Sequence, residues 1–328
     1  MGPATRTLWR PVLLIWLMLL TLGFGIMVAM VPQTRIYEDI ICRRYYMDHP
    51  EQSVTLGMAS AFSPDEAHRQ QSPDESLCKK PAIQDAVNQL FGWQTFFDGI
   101  PGLLLAMYYG SLADSKGRRP VLILSLAGQL LGAAWILFIC WIEAEVKLTW
   151  FSSIFSCIGG GNTVFTAAAM MILADAAPDT FRTRIFFYAS TFLIVGEMLG
   201  SPVASALMVR DPWIPNIIGF LCMGMTTALA FLMPETLDIE GDNETVNRPR
   251  ASNNGEPFSV LRPLKAVAQH AVTTLSFVFR DRNLLLLVAS YFTVDFARET
   301  LSLLVRYVST RFSIPLAQVC LFVAKPWT

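Results

Sequence analysis

Three polar side chains with the chemistry to bind or carry something stand inside long apolar runs of this sequence: Asp98, Asn162 and Glu197. An ionisable group placed in hydrocarbon costs about 2.5–3.5 kcal/mol on insertion scales, so such groups are candidates for function. Glu197 sits mid-run in Gly196-Glu-Met-Leu-Gly200-Ser-Pro202. Desolvation disfavours a bare carboxylate, so a carboxyl there suits taking up and releasing a proton. The plainer reading is a neutral glutamic acid bonded to a neighbouring helix for packing. Asp98 precedes Gly99, Pro101 and Gly102. Pro101 should kink its helix and free a carbonyl, which suits a cavity wall; otherwise Asp98 is hydrated near an interface. Asn162 follows Gly159-Gly160-Gly161 and either meets a substrate or bonds another helix. In a later apolar run Asp295, Arg298 and Glu299 share one helical face. The spacing of Asp295 and Arg298 allows a local pair, and the three would line a cavity. His49, His68 and His270 are far apart, so no metal-ligand spacing exists. No span pairs a nucleophile with a base. Neither an enzyme, a metal nor a cofactor is expected.

A second constellation is Gly110-Ser-Leu-Ala-Asp114-Ser-Lys-Gly117-Arg118-Arg119-Pro120. Gly110 allows close approach of a neighbouring helix. Asp114 stands near a helix terminus, where it can accept backbone N–H groups or pair with arginine. Gly117 permits the positive φ of a tight reversal. Arg118 and Arg119 hold that reversal out of the hydrocarbon. Further along, Asp175 ends an apolar run ahead of Arg182 and Arg184, and Pro234-Glu235-Thr236 ends another.

The elements that position these residues follow from composition. Of 328 residues, 53% are hydrophobic and 16% charged, and the charge is confined to short stretches between apolar runs. Those runs have the length of roughly 20 residues that crosses a bilayer. The chain reads as an all-α polytopic membrane protein in contact with a lipid bilayer. Span 1 covers 11–31 and closes at Pro32; spans 2 and 3 cover 89–110 and 120–141. Spans 4, 5 and 6 cover 149–173, 185–208 and 213–233, and span 7 covers 284–305. Span 1 is longer than the roughly 7–15 apolar residues of a signal peptide, so it reads as retained. Net charge of −1 gives no reason to expect a nucleic acid partner.

Basic residues set an orientation. Arg6, Arg10, Lys116, Arg118, Arg119, Arg182, Arg184 and the cluster from Arg248 to Arg282 all fall on one side. That side is cytoplasmic with an inside N-terminus, which puts the 33–88 segment, a long polar loop, outside or in a lumen. The 234–283 segment is then a cytoplasmic central loop. Cys42 and Cys78 both lie in 33–88, on the oxidising side. They read either as a disulfide or as two unpaired loop cysteines.

The segment from Gly110 to Arg119 resembles the signature G-x-L-[AS]-D-x-x-G-R-[KR] of the major facilitator superfamily, and it sits between the second and third spans as that signature does. The resemblance implies a six-helix N-terminal half over 1–233, with Gly110, Asp114, Gly117, Arg118, Arg119 and Asp175 as a cytoplasmic gate. It implies a secondary transporter of a small-molecule substrate, coupled to protons through Glu197 or Asp98, that works by alternating access. The face of spans 1, 2, 4 and 5 would meet a second half, of which 284–328 is the start. The long outer loop with two cysteines and the acidic residue in span 5 resemble the branch holding tetracycline efflux pumps and the proton-coupled folate transporter. Members of the superfamily have twelve spans, so the sequence reads as one half plus one helix, the second half being incomplete. The alternative is a truncated membrane protein of the same fold that does not transport.

Overall fold

The structure, a computed structural model, describes residues 3–49, 51, 78–178, 180–235 and 280–312. The described residues form helices in the order α1 (Pro3–Asp48), α2 (Pro81–Lys116), α3 (Arg118–Trp141), a short 3₁₀ turn (Val146–Phe151), α4 (Ser152–Phe155), α5 (Gly161–Ala176), α6 (Arg182–Met208), α7 (Trp213–Phe231) and α8 (Arg282–Phe312). Two compact units divide the chain: 1–235 with 303–328, and 236–302. The first is the helical bundle. Of the second, the described part is the stretch of α8 up to Ser302 and the two residues before it.

Four helical stretches are long and apolar enough to cross a membrane: Trp9–Asp48, Arg118–Trp141, Arg182–Met208 and Trp213–Phe231. Gly161–Ala176 and Arg282–Val294 are apolar but shorter. α2 is long enough and is not among the four. The expected spans 2, 4 and 7 thus have no helix among the four, and spans 2 and 4 carry Asp98 and Asn162.

α1 corrects the expected boundary at Pro32. The helix runs through Pro32 to Asp48. An interior proline removes one hydrogen bond and costs about 3 kcal/mol. The residues beyond it offset that cost: Ile36, Tyr37 and Ile40 are buried against Leu90, Cys140 and Val146. Ion pairs Arg35–Glu38 and Asp39–Arg43, at 3.5 and 3.2 Å, run along the same helix. The 33–88 segment is therefore helical at both ends, with α2 starting at Pro81 rather than 89.

The disulfide reading holds: Cys42 on α1 is bonded to Cys78, just ahead of α2, with Cα atoms 5.4 Å apart. Beside it lies a buried charged cluster that polarity alone had assigned to a loop. Glu38, 2% exposed, accepts two hydrogen bonds from Lys79 Nζ at 3.2 Å and one from Gln84 Nε2 at 3.0 Å. Gln84 also donates to Cys78 O at 3.1 Å.

α1 packs along α6 and α7 through glycines. A Cβ at Gly196 would strike the carbonyl of Leu20, and one at Gly200 would lie 2.7 Å from Phe24 O. This face of α6 serves helix packing, as the spacing of small residues predicts. The core between α1, α2, α3, α5 and α6 is built from side chains such as Ile15, Met18, Leu122, Leu126, Ile172 and Ile185.

Candidate functional site

One cluster forms where α2 turns into α3. A single residue, Gly117, separates the two helices, with φ 105° and ψ 158°. The position is in the range that favours glycine, and a Cβ there would come within 2.5 Å of Glu235 Oε2. The first N–H groups of a helix have no intrahelical partner and carry partial positive charge. Here the Glu235 carboxylate, arriving from beyond α7, accepts the N–H of Arg118 at 3.0 Å and that of Arg119 at 3.3 Å. The arginine side chains reach the other way. Arg118 donates to Met171 O at 2.6 Å and forms an ion pair with Asp175 at the end of α5. Arg119 donates to Phe231 O at 2.7 Å, one of the free carbonyls closing α7. The turn is thereby tied to α5 and α7 at one end of the bundle.

Of the residues picked out in this motif, Gly117, Arg118, Arg119 and Asp175 meet. Asp114 is exposed on the last turns of α2. Gly110 has nothing within 4 Å of where a Cβ would be, so the close approach expected of it is not made among the described residues. Glu235 was noticed in the sequence only as part of a tripeptide; its capping role depends on a contact across more than a hundred positions.

A second site is an open cleft of about 390 Å³ in the bundle, with Asp98 and Asn162 exposed on it. It is lined from α1, α2, α3, the broken span 4 and α7, and includes Asp98 and Asn162. Asp98 Oδ1 accepts a hydrogen bond from Ser153 at 2.5 Å, and Oδ2 accepts one from Gln94 at 3.0 Å. Gln94 Nε2 also lies 2.8 Å from Ser152 Oγ. The side chains around Asp98 are thus neutral donors. Gln33, Gln129 and Asn216 also line the cavity and were missed in the sequence. They are uncharged, and only ionisable groups inside spans drew notice; Gln33 had been placed in a loop. Asn216 is 5% exposed, and its Nδ2 has no hydrogen-bond partner among the described residues. A buried donor left unpaired costs about 1–3 kcal/mol.

The break in span 4 shapes this wall. Gly159, Gly160 and Gly161 have φ of 95°, 76° and 65°, a run that side chains resist. Tyr109 OH fastens the break to α2, accepting from Gly159 N–H and donating to Cys157 O, both at 2.8 Å. Glu197 is half-buried on α6 and is not part of the cavity lining. The sequence put Glu197 and Asp98 in one proton-handling role; the fold sets them on different surfaces. The side chains of Asp295, Arg298 and Glu299 lie outside the described residues, as does the rest of the central segment, 236–279.

The chain spans about half the length of the curated relatives it matches. An "MFS efflux pump atnC" of Emericella nidulans is 37% identical over 300 residues, which is 91% of this chain and 55% of that protein. An "MFS transporter SAT21" of Stachybotrys chartarum is 27% identical, covering 75% of this chain and 55% of that one. An "Efflux pump ustT" of Aspergillus flavus is 26% identical, covering 87% and 53%. The family model described as Major Facilitator Superfamily matches residues 79–325, which hold both the clamp and most of the cavity. This chain belongs to the major facilitator superfamily.

Proposed function

We propose that the protein is a secondary active transporter that exports a small organic solute across a membrane in exchange for protons. The clamp carries this reading: Arg118 and Arg119 join the α2–α3 turn to α5 and α7, so those helices can move as one body. A rigid bundle is what alternating access requires. The three named relatives, two of them called efflux pumps, support export. Asp98 and Glu197 are the proton-handling candidates. Residues 1–233 act as one half of the carrier, and 284–328 belong to a second. The outer segment and Glu197 favour the tetracycline-pump and folate-transporter branch. The test is solute export from cells carrying the full-length protein, measured with a panel of fluorescent organic compounds. Export should stop when a protonophore collapses the gradient. Glu197→Gln should retain solute binding but reduce gradient-driven export about 5–150-fold, the range of a typical coupling free energy. Unchanged proton-driven export in both Glu197→Gln and Asp98→Asn would show that the proton travels elsewhere.

The N-terminus and 234–283 are assigned to the cytoplasm, and 33–88 to the opposite side. The supporting observation is that the basic residues of the clamp gather at one end of the bundle while the disulfide lies on the segment assigned to the other side. The sequon Asn243-Glu-Thr245 is then never exposed to glycosylating enzymes. Expressed in a glycosylating host, the protein should migrate identically before and after glycosidase treatment. Glycan on Asn243 would reverse the assignment.

A further inference from the structure

The open cleft in the bundle holds one formal charge. Among the described residues Asp98 is the only ionisable group in its lining, and no Lys, Arg or His belongs to that lining. The described partners of the Asp98 carboxylate are a serine and a glutamine, with no cation among them. A carboxylate in a cleft with low-dielectric walls attracts positive ions and repels anions. The space, about 390 Å³, is far larger than a metal ion needs and falls in the range of organic ligand pockets. Among the described residues no group of three or more His, Cys, Asp or Glu could hold a metal. The walls are mostly apolar, with Phe220 presenting a ring to which a cation is drawn. Asn216, also in the lining, contributes a buried amide nitrogen with no hydrogen-bond partner among the described residues.

We infer that this cavity binds an organic monocation that carries a hydrogen-bond acceptor, the positive centre facing Asp98 and the acceptor meeting Asn216. Gln33, Gln129 and Asn162 supply further amide contacts to neutral polar groups of the ligand. The lining shares spans 1, 2 and 4 with the path that the family resemblance implies; it adds α3 and α7 and takes nothing from α6. Binding here does not depend on the transport reading and is measured without transport.

The experiment uses the full chain in detergent, with Cys140, Cys157, Cys222 and Cys320 replaced by alanine and the disulfide retained. A single thiol is introduced by Ala133→Cys, and separately by Met223→Cys, so that failure of one variant to fold leaves the other. Labelling rates are measured for a trimethylammonium-ethyl and a sulfonato-ethyl methanethiosulfonate, each normalised to its rate with a free thiol. The cationic reagent should react about tenfold faster than the anionic one, as ~1.4 kcal/mol of preference gives. Asp98→Asn should abolish the preference and Asp98→Glu should keep it. 1-Methylnicotinamide, a monocation with an amide carbonyl, should slow labelling more than neutral nicotinamide does, and Asn216→Leu should weaken that protection severalfold. Equal rates for the two reagents, or equal protection by nicotinamide, would overturn the inference. An unaltered export assay alongside a failed labelling test would leave the transport reading standing and remove only this site.

Discussion

Glu38→Leu is expected to destabilise the protein by about 3–5 kcal/mol, because it removes the carboxylate that Lys79, Arg35 and Gln84 share in a buried charged cluster. Lys79 is 8% exposed and Arg35 likewise 8%, so neither cation reaches water freely once the carboxylate is gone. Gln84 would also lose one of its two acceptors, keeping Cys78 O. The cluster adjoins the Cys42–Cys78 bridge and joins the end of α1 to the start of α2. Thermal unfolding in detergent, followed by the loss of helical circular dichroism, measures the effect. The double variant Glu38→Leu with Lys79→Met should recover most of the loss, since replacing both members of a buried pair by apolar groups is often neutral. If the double variant is less stable than the single one, the cluster is not held by compensation of charge and the argument fails.

Gly159→Ala is the second large effect, expected at about 2–5 kcal/mol. Two physical terms add. A side chain at φ 95° meets the penalty of left-handed backbone, about 1–2 kcal/mol. The added Cβ would also press on the main chain of Leu124 and Ser125 in α3, where overpacking costs roughly 1–3 kcal/mol and no flexible side chain can yield. Gly224→Ala is the matched control: Gly224 lies within α7 with nothing within 4 Å of a Cβ, and alanine there should gain about 0.4–1 kcal/mol. Equal melting temperatures for the two variants would show that the break in span 4 tolerates a side chain and does not fix the cavity wall. Because Tyr109 and Gly159 are hydrogen bonded, loss of this geometry should also loosen the wall that carries Asn162.

The sequence by itself determined the class and the family. Apolar runs of membrane length, the asymmetry of basic residues and the Gly110–Arg119 motif are local signals, readable because each arises from neighbouring residues. The glycine run before Asn162 was legible for the same reason. The end of α1 was not: Pro32 signals a stop locally, and only burial of Ile36, Tyr37 and Ile40 against other helices carries the helix past it. Polarity likewise placed Glu38 and Lys79 in a loop, because a buried charge pair looks in sequence like two solvated residues. Glu235 capping α3 and the convergence of Gln33, Asp98, Gln129, Asn162 and Asn216 on one cavity join residues from separate helices. Such contacts depend on how helices are oriented about their axes and against each other, which packing sets and no local pattern records. The separation of Asp98 from Glu197 is the clearest case. In sequence both are carboxyls within apolar runs, and the tertiary structure alone puts one in the cavity and the other on α6 outside its lining.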